Sequence, residues 1–142
     1  MKSFYPLIMT DKVSETAEFY VGKFDFEKTF EMDWYVSLKK GYRELAVLDC
    51  NHDTVPRHKR GRKTSDVILN FEVDDAKLLY EELVIDQKLP PLLELKDENF
   101  GQRHFIIEDL KGIMIDVIEE IEPSEEFKKT FYVRRQYEKN RI

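Results

Sequence analysis

A chain of 142 residues suffices for one domain, which at this size buries roughly 68% of its unfolded surface. Hydrophobic residues at 42% and aromatics at 13% exclude wholesale disorder, and 37% charged residues favour solubility. The net charge of −6 is uneven: residues 57–63, RHKRGRK, hold five Lys/Arg and no acid, leaving 18 Lys/Arg against 29 Asp/Glu elsewhere, a formal −11 that disfavours general nucleic-acid binding.

In chain order, FYPLIM (4–9) predicts a short strand at an edge or end, because its proline cannot donate to a ladder. Val13, Ala17, Tyr20 and Phe24 then recur at helical spacing, with Ser14 the expected cap. Three strand-like runs follow: DFEKTFE (25–31), WYVSLKK (34–40) and RELAVLDC (43–50). The polar, basic stretch 51–65 reads as a loop, and its RHKRGRK segment as solvated and flexible. VILNFEV (67–73) is again a strand. DDAKLLYEELVIDQ (74–87) is a helix with Ala76, Leu79 and Leu83 on one face, capped by Asp74 or Asp75. PPLLELK (90–96), RHFIIE (103–108) and IMIDVIEEI (113–121) supply three more strands.

Each half therefore reads strand–helix–strand–strand–strand, an internal duplication of about 55 residues. The expected class is α+β, with two βαβββ modules in tandem, about 1–55 and 64–122, forming curled mixed sheets around a cleft. Together they make one domain over 1–122. Residues 123–142 form a C-terminal helical extension, acidic first and basic last as a helix dipole favours, with Phe127, Phe131 and Arg134 on one face.

Asp116 is the one acid inside the last apolar run. Alternation puts Met114, Asp116 and Ile118 on one face. A three-residue turn at Leu110–Lys111–Gly112 would bring His104 and Ile106 onto that face too. A His104–Asp116 pair could orient a ligand or move a proton, so both are candidate catalytic residues; the blander reading is a structural hydrogen bond. Asn70, an amide inside an apolar run, is a candidate ligand contact or a satisfied buried amide. Trp34, Tyr35 and Phe100 could wall a planar ligand or fill core, and Trp34 stands beside the hairpin tip 31–33. A Cys50–His52 metal pair lacks further ligands. The lone Cys50 precludes an intramolecular disulfide and fits a reducing compartment. With no run near the ~18 apolar residues of a membrane helix and no signal peptide, a cytoplasmic protein without membrane contact is expected.

The duplicated order, with PLIMTD and FY near the start, FEVDD at the second-half entry and FGQRHFIIEDLKGIMIDVIE near the end, resembles the vicinal oxygen chelate superfamily. More narrowly it resembles the glyoxalase/bleomycin-resistance/dioxygenase group, over about residues 4–122. The resemblance implies paired βαβββ modules, a common homodimer, and in many members a divalent metal held by His or Glu on the first, fourth, fifth and eighth strands. Those positions fall here near Phe4, Val47, Ile68 and Asp116, so only Asp116 keeps a metal-binding group.

These readings converge on a cleft lined by Val47, Ile68, Asn70, His104, Ile106 and Asp116, with Trp34 near its mouth. The expected function is binding or sequestration of a small molecule, such as an antibiotic, without a cofactor. One alternative is lyase, isomerase or dioxygenase chemistry on a small carbonyl or phenolic substrate, with a divalent metal or with His104 and Asp116 as acid and base. Another is a protein-interaction module using the C-terminal helix.

Overall fold

The computed structural model describes residues 1–129 and falls into two compact units. The first comprises residues 1–67 with the turn 108–114; of the described residues, the second comprises 68–107 and 115–129.

In the first unit the order is β1 (Leu7–Thr10), α1 (Val13–Phe24), β2 (Glu27–Met32), β3 (Tyr35–Lys40) and β4 (Arg43–Asp49). The sheet order is β1-β4-β3-β2, with β1 parallel to β4 and the other pairs antiparallel. Val13, Ala17, Tyr20 and Phe24 are all buried, as helical spacing predicts. Ser14 is not the cap. Lys12 holds that position, and the hydroxyl of Thr10, two residues earlier, accepts the Lys12 N–H. Asp25 closes the helix in the left-handed conformation, its N–H returning to Tyr20 and Val21 carbonyls.

Cross-strand neighbours share a face, and Ile8, Val47 and Val36 form such a row, each at most 2% exposed. Leu45 and Leu38 extend it, whereas Leu7, Met9, Tyr35 and Ser37 on the other face are half-buried or exposed. Only on β4 is that other face buried too, at Ala46 and Leu48, so the row of Ile8, Val47 and Val36 is the side we assign to α1.

The stretch 51–65 is a loop, as expected, and it is tied down by hydrogen bonds. A short 3-10 turn at Arg57–Lys59 is followed by Arg60, which donates from Nε to the Val55 carbonyl and from Nη2 to the Asp53 carbonyl, both at 2.8 Å. Gly61 N–H donates to Cys50, Thr64 N–H to Met9, and Met9 N–H returns to the Thr64 hydroxyl. One basic residue thus organises the loop, and Lys63 pairs with Asp11 at 3.1 Å.

The second unit repeats the order with β5 (Ile68–Glu72), α2 (Ala76–Tyr80), β6 (Leu93–Glu98), β7 (Gln102–Glu108) and β8 (Met114–Glu120), in sheet order β5-β8-β7-β6. Asp75 caps α2, its Oδ1 accepting the Leu78 N–H at 2.9 Å. The predicted helix continues after Tyr80 as a wider, π-type turn over Glu81–Asp86. Ala76 and Leu83 are buried and Leu79 is half-buried. Tyr80 meets Phe105 edge-on at 5.2 Å, which fixes Phe105, and by alternation Ile107, as the helix-covered side of β7. Beyond β8 lies α3 (Glu125–Lys128); Phe131 and Arg134 of the expected C-terminal helix lie outside the described residues.

Candidate functional site

The side of the second sheet turned away from α2 carries the polar residues that sequence spacing singles out. The turn 110–112 positions two of them. Asp109 N–H donates to the Ile113 carbonyl, Gly112 takes φ +89°, and a three-residue connection results. With that register His104 and Asp116 are neighbours, and His104 Nδ1 donates to Asp116 Oδ1 at 2.8 Å. His104 is 7% exposed, a buried polar side chain, so this bond is what makes its position affordable.

The other ring nitrogen, Nε2, lies 3.4 Å from Glu98 Oε1. That same oxygen is 2.9 Å from Lys96 Nζ. Lys96 pairs with His104 and Glu98 with Gln102 across β6 and β7, so all share one face. The result is a row, Asp116–His104–Glu98–Lys96, of alternating acid and base. The Lys96 ammonium, with a smaller contribution from the His104 bond, holds the Glu98 carboxyl below the usual carboxylate range.

The sequence spacing does not point to Lys96 and Glu98. The spacing predicts a strand over 90–96, but β6 runs to Glu98, past a bulge between Leu93 and Lys96. The Lys–x–Glu alternation was the available signal, hidden by that irregularity.

The remaining predicted residues fall as follows. Ile106 is half-buried on the His104 side of β7. Ile68 and Asn70 are exposed on β5, Ile68 at 47%, on the side opposite Leu69 and Phe71. Val47 belongs to the buried helix-covered row of the first unit and offers no surface; the alternate positions on β4 are Ala46 and Leu48. Trp34 sits in the β2–β3 turn of the first unit with its ring stacked on His52, 3.9 Å between centroids and 6° between planes. The structure thus brings His104, Asp116 and Ile106 together on one face of one sheet, and places Val47 and Trp34 in the other unit.

The metal test on the donor set fails at three of four positions. Phe4 is 84% exposed ahead of β1, Val47 is buried in hydrocarbon, and Ile68 carries no donor atom. Asp116, the fourth, is committed to a histidine. Among the described residues no three His, Cys, Asp or Glu side chains are grouped to hold an ion. The expected ligand positions therefore do not fit a metal.

The fold, with two four-stranded mixed sheets each carrying a helix after its first strand, and the match of residues 4–117 to the Glyoxalase/Bleomycin resistance protein/Dioxygenase superfamily define the class. This chain belongs to that superfamily. Its fold is similar to that of a glyoxalase/bleomycin resistance protein/dioxygenase from Nocardioides, with TM-score 0.71, 15% identity, and 86% of this chain and 85% of that one covered. A lactoylglutathione lyase from Agrobacterium tumefaciens aligns with TM-score 0.65 and 19% identity over 84% and 94% of the two chains. A family enzyme from Burkholderia phytofirmans PsJN aligns with TM-score 0.70 and 15% identity over 82% and 97%. At such identities the likeness speaks for the fold alone. No curated protein matches the chain.

Proposed function

We propose that this chain is a small-molecule-binding protein of its superfamily, using the helix-distal face of the second sheet without a tightly held metal. The observation that carries the reading is the 2.8 Å bond from His104 Nδ1 to Asp116 Oδ1. The one carboxylate left at a ligand position finds its counter-group inside the protein. A buried, oriented imidazole beside Ile106 gives a ligand one directional polar contact on an apolar floor. Sequestration, as of an antibiotic, needs only that affinity. The sequence expectations of a homodimer and a cytoplasmic setting belong to the same reading, supported by the family's usual assembly and by the single, buried Cys50.

The test is metal content per chain, after purification without chelators and after incubation with nickel, zinc, manganese and iron(II). The reading expects no stoichiometric metal. One ion per chain, lost in both His104→Ala and Asp116→Ala, would overturn it.

The same pair favours a second reading, metal-free acid–base chemistry on a small carbonyl or phenolic substrate. Asp116 orients the ring so that Nε2 is the atom that exchanges a proton with the substrate. Turnover lost in His104→Gln while ligand affinity persists would select it; affinity without turnover in the parent protein would reject it.

A further inference from the structure

Resting on the reading that this face binds a small molecule, we propose that Glu98 is a built-in stand-in for the ligand. Its carboxylate fills a carboxylate receptor formed by His104 Nε2 and Lys96 Nζ, so the ligand class is a carboxylic acid with a short apolar body.

Three features of the row carry this. First, one oxygen, Glu98 Oε1, serves both Lys96 at 2.9 Å and His104 at 3.4 Å. The second distance is at the long limit of a hydrogen bond, so Nε2 is under-satisfied by its internal partner. An incoming carboxylate can offer each donor its own oxygen, the bidentate arrangement that makes such contacts strong.

Second, the parts differ in how firmly they are held. The His104 side chain is 9% exposed and locked by Asp116, whereas the Glu98 and Lys96 side chains are 22% and 51% exposed. The histidine is a fixed donor, and the half-buried glutamate can swing into solvent by giving up a partly exposed Lys–Glu pair, which costs little.

Third, the neighbouring cross-strand pair is apolar. Leu93 faces Ile106 as Lys96 faces His104, and the bulge between Leu93 and Lys96 keeps both β6 residues on that face despite their odd spacing. Leu93 and Ile106 are both half-buried. A carboxylate held at the polar pair would lay its hydrocarbon over the apolar one. A cationic ligand fits less well, because the nearby acids already have partners: Asp116 has His104, Glu98 has Lys96, and Asp97 has Arg103 through two bonds of 2.7 and 3.0 Å.

The experiment uses phenylacetate, phenethylamine and benzyl alcohol as probes at pH 7. Calorimetry gives affinity and the His104 ring resonances give location, in the parent chain, Glu98→Gln and Lys96→Met. Phenylacetate is expected to shift the His104 resonances, to bind about fivefold tighter in Glu98→Gln, and to bind about fivefold weaker in Lys96→Met. The gain on deleting an acid is the signature, since a purely structural Glu98 would not compete with ligand. Unchanged or weaker phenylacetate binding in Glu98→Gln would overturn the proposal. If phenethylamine or benzyl alcohol shifts His104 and phenylacetate does not, the carboxylate assignment falls while the binding face stands. If no probe shifts His104 in any of the three proteins, both fall.

Discussion

The Tyr20 hydroxyl donates to Asp109 Oδ2 at 2.8 Å, joining two buried side chains 89 positions apart in the first unit. The other Asp109 oxygen accepts the backbone N–H groups of Lys111 at 2.8 Å and Ile113 at 3.0 Å. A carboxylate with 6% exposure persists because these three donors replace its water. Burial first, and the Asp109 charge second, push the Tyr20 hydroxyl well above the ordinary tyrosine range, so it stays a donor. Tyr20→Phe removes one donor and leaves part of a buried charge unanswered. Urea unfolding should show a loss of about 1–3 kcal/mol with the slope unchanged. A loss near zero would mean that water replaces the hydroxyl.

Asp11 receives two ammonium groups, Lys111 at 2.9 Å and Lys63 at 3.1 Å. Lys111 first, then Lys63, lowers its pKa to about 2. A carboxyl whose folded value lies below its unfolded one contributes stability above the unfolded value, roughly 3.9 for aspartate, and loses it as pH falls through about 2. The parent chain should therefore exceed Asp11→Asn in urea midpoint at pH 6, with the gap closing between about pH 4 and pH 2. A gap that persists at pH 2 would assign the effect to packing rather than to charge. High salt should narrow the gap at pH 6, because the pairs are solvent-facing.

Element order was legible in the sequence because it rests on periodicity. Helical spacing of Val13, Ala17, Tyr20 and Phe24 and the duplicated strand pattern depend on which residues are apolar, and burial enforces that. The His104–Asp116 pair was legible for a related reason: a glycine turn of fixed length sets the register of β7 on β8, and register sets the face. What periodicity leaves open is a one-residue irregularity. The bulge in β6 hid Glu98 and Lys96 from the row they complete. In β4, a run buried on both faces from Leu45 to Leu48 has no alternation to read, so periodicity does not say which face Val47 takes. The order of the 51–65 loop depends on Arg60 reaching two carbonyls, a tertiary contact that local composition does not encode.

Gly101 lies in the turn between β6 and β7, so it sets where Glu98 stands relative to His104. Its φ is +98°, and a Cβ there would lie 2.9 Å from the Ile121 carbonyl oxygen and 3.2 Å from Pro123 Cβ. Gly112 shares the positive φ, but its nearest neighbour would be 3.6 Å away, in ordinary contact. Gly112→Ala should therefore cost only the backbone term, about 1 kcal/mol, whereas Gly101→Ala should add overpacking and reach about 2–4 kcal/mol. Equal losses in the two variants would show that the 121–123 segment yields. In Gly101→Ala the His104 ring resonances should also move, because the turn that fails is the one that registers β6.

Arg60 is the remaining test of whether the basic segment is ordered by its own chemistry. Its guanidinium satisfies the Val55 and Asp53 carbonyls, and a lysine has no planar fork to reach both. Hydrogen exchange in Arg60→Lys should accelerate about tenfold or more at Val55 and Gly61, whose N–H groups donate to His52 and Cys50, while global stability changes by about 0.5 kcal/mol or less. The Thr64 N–H, which donates to Met9 on β1, should stay protected, because that bond belongs to the sheet edge rather than to the loop. Exchange that speeds equally at Thr64 would mean that the loop and β1 open together. In that case Arg60 would be holding the edge of the first sheet as well as its own turn.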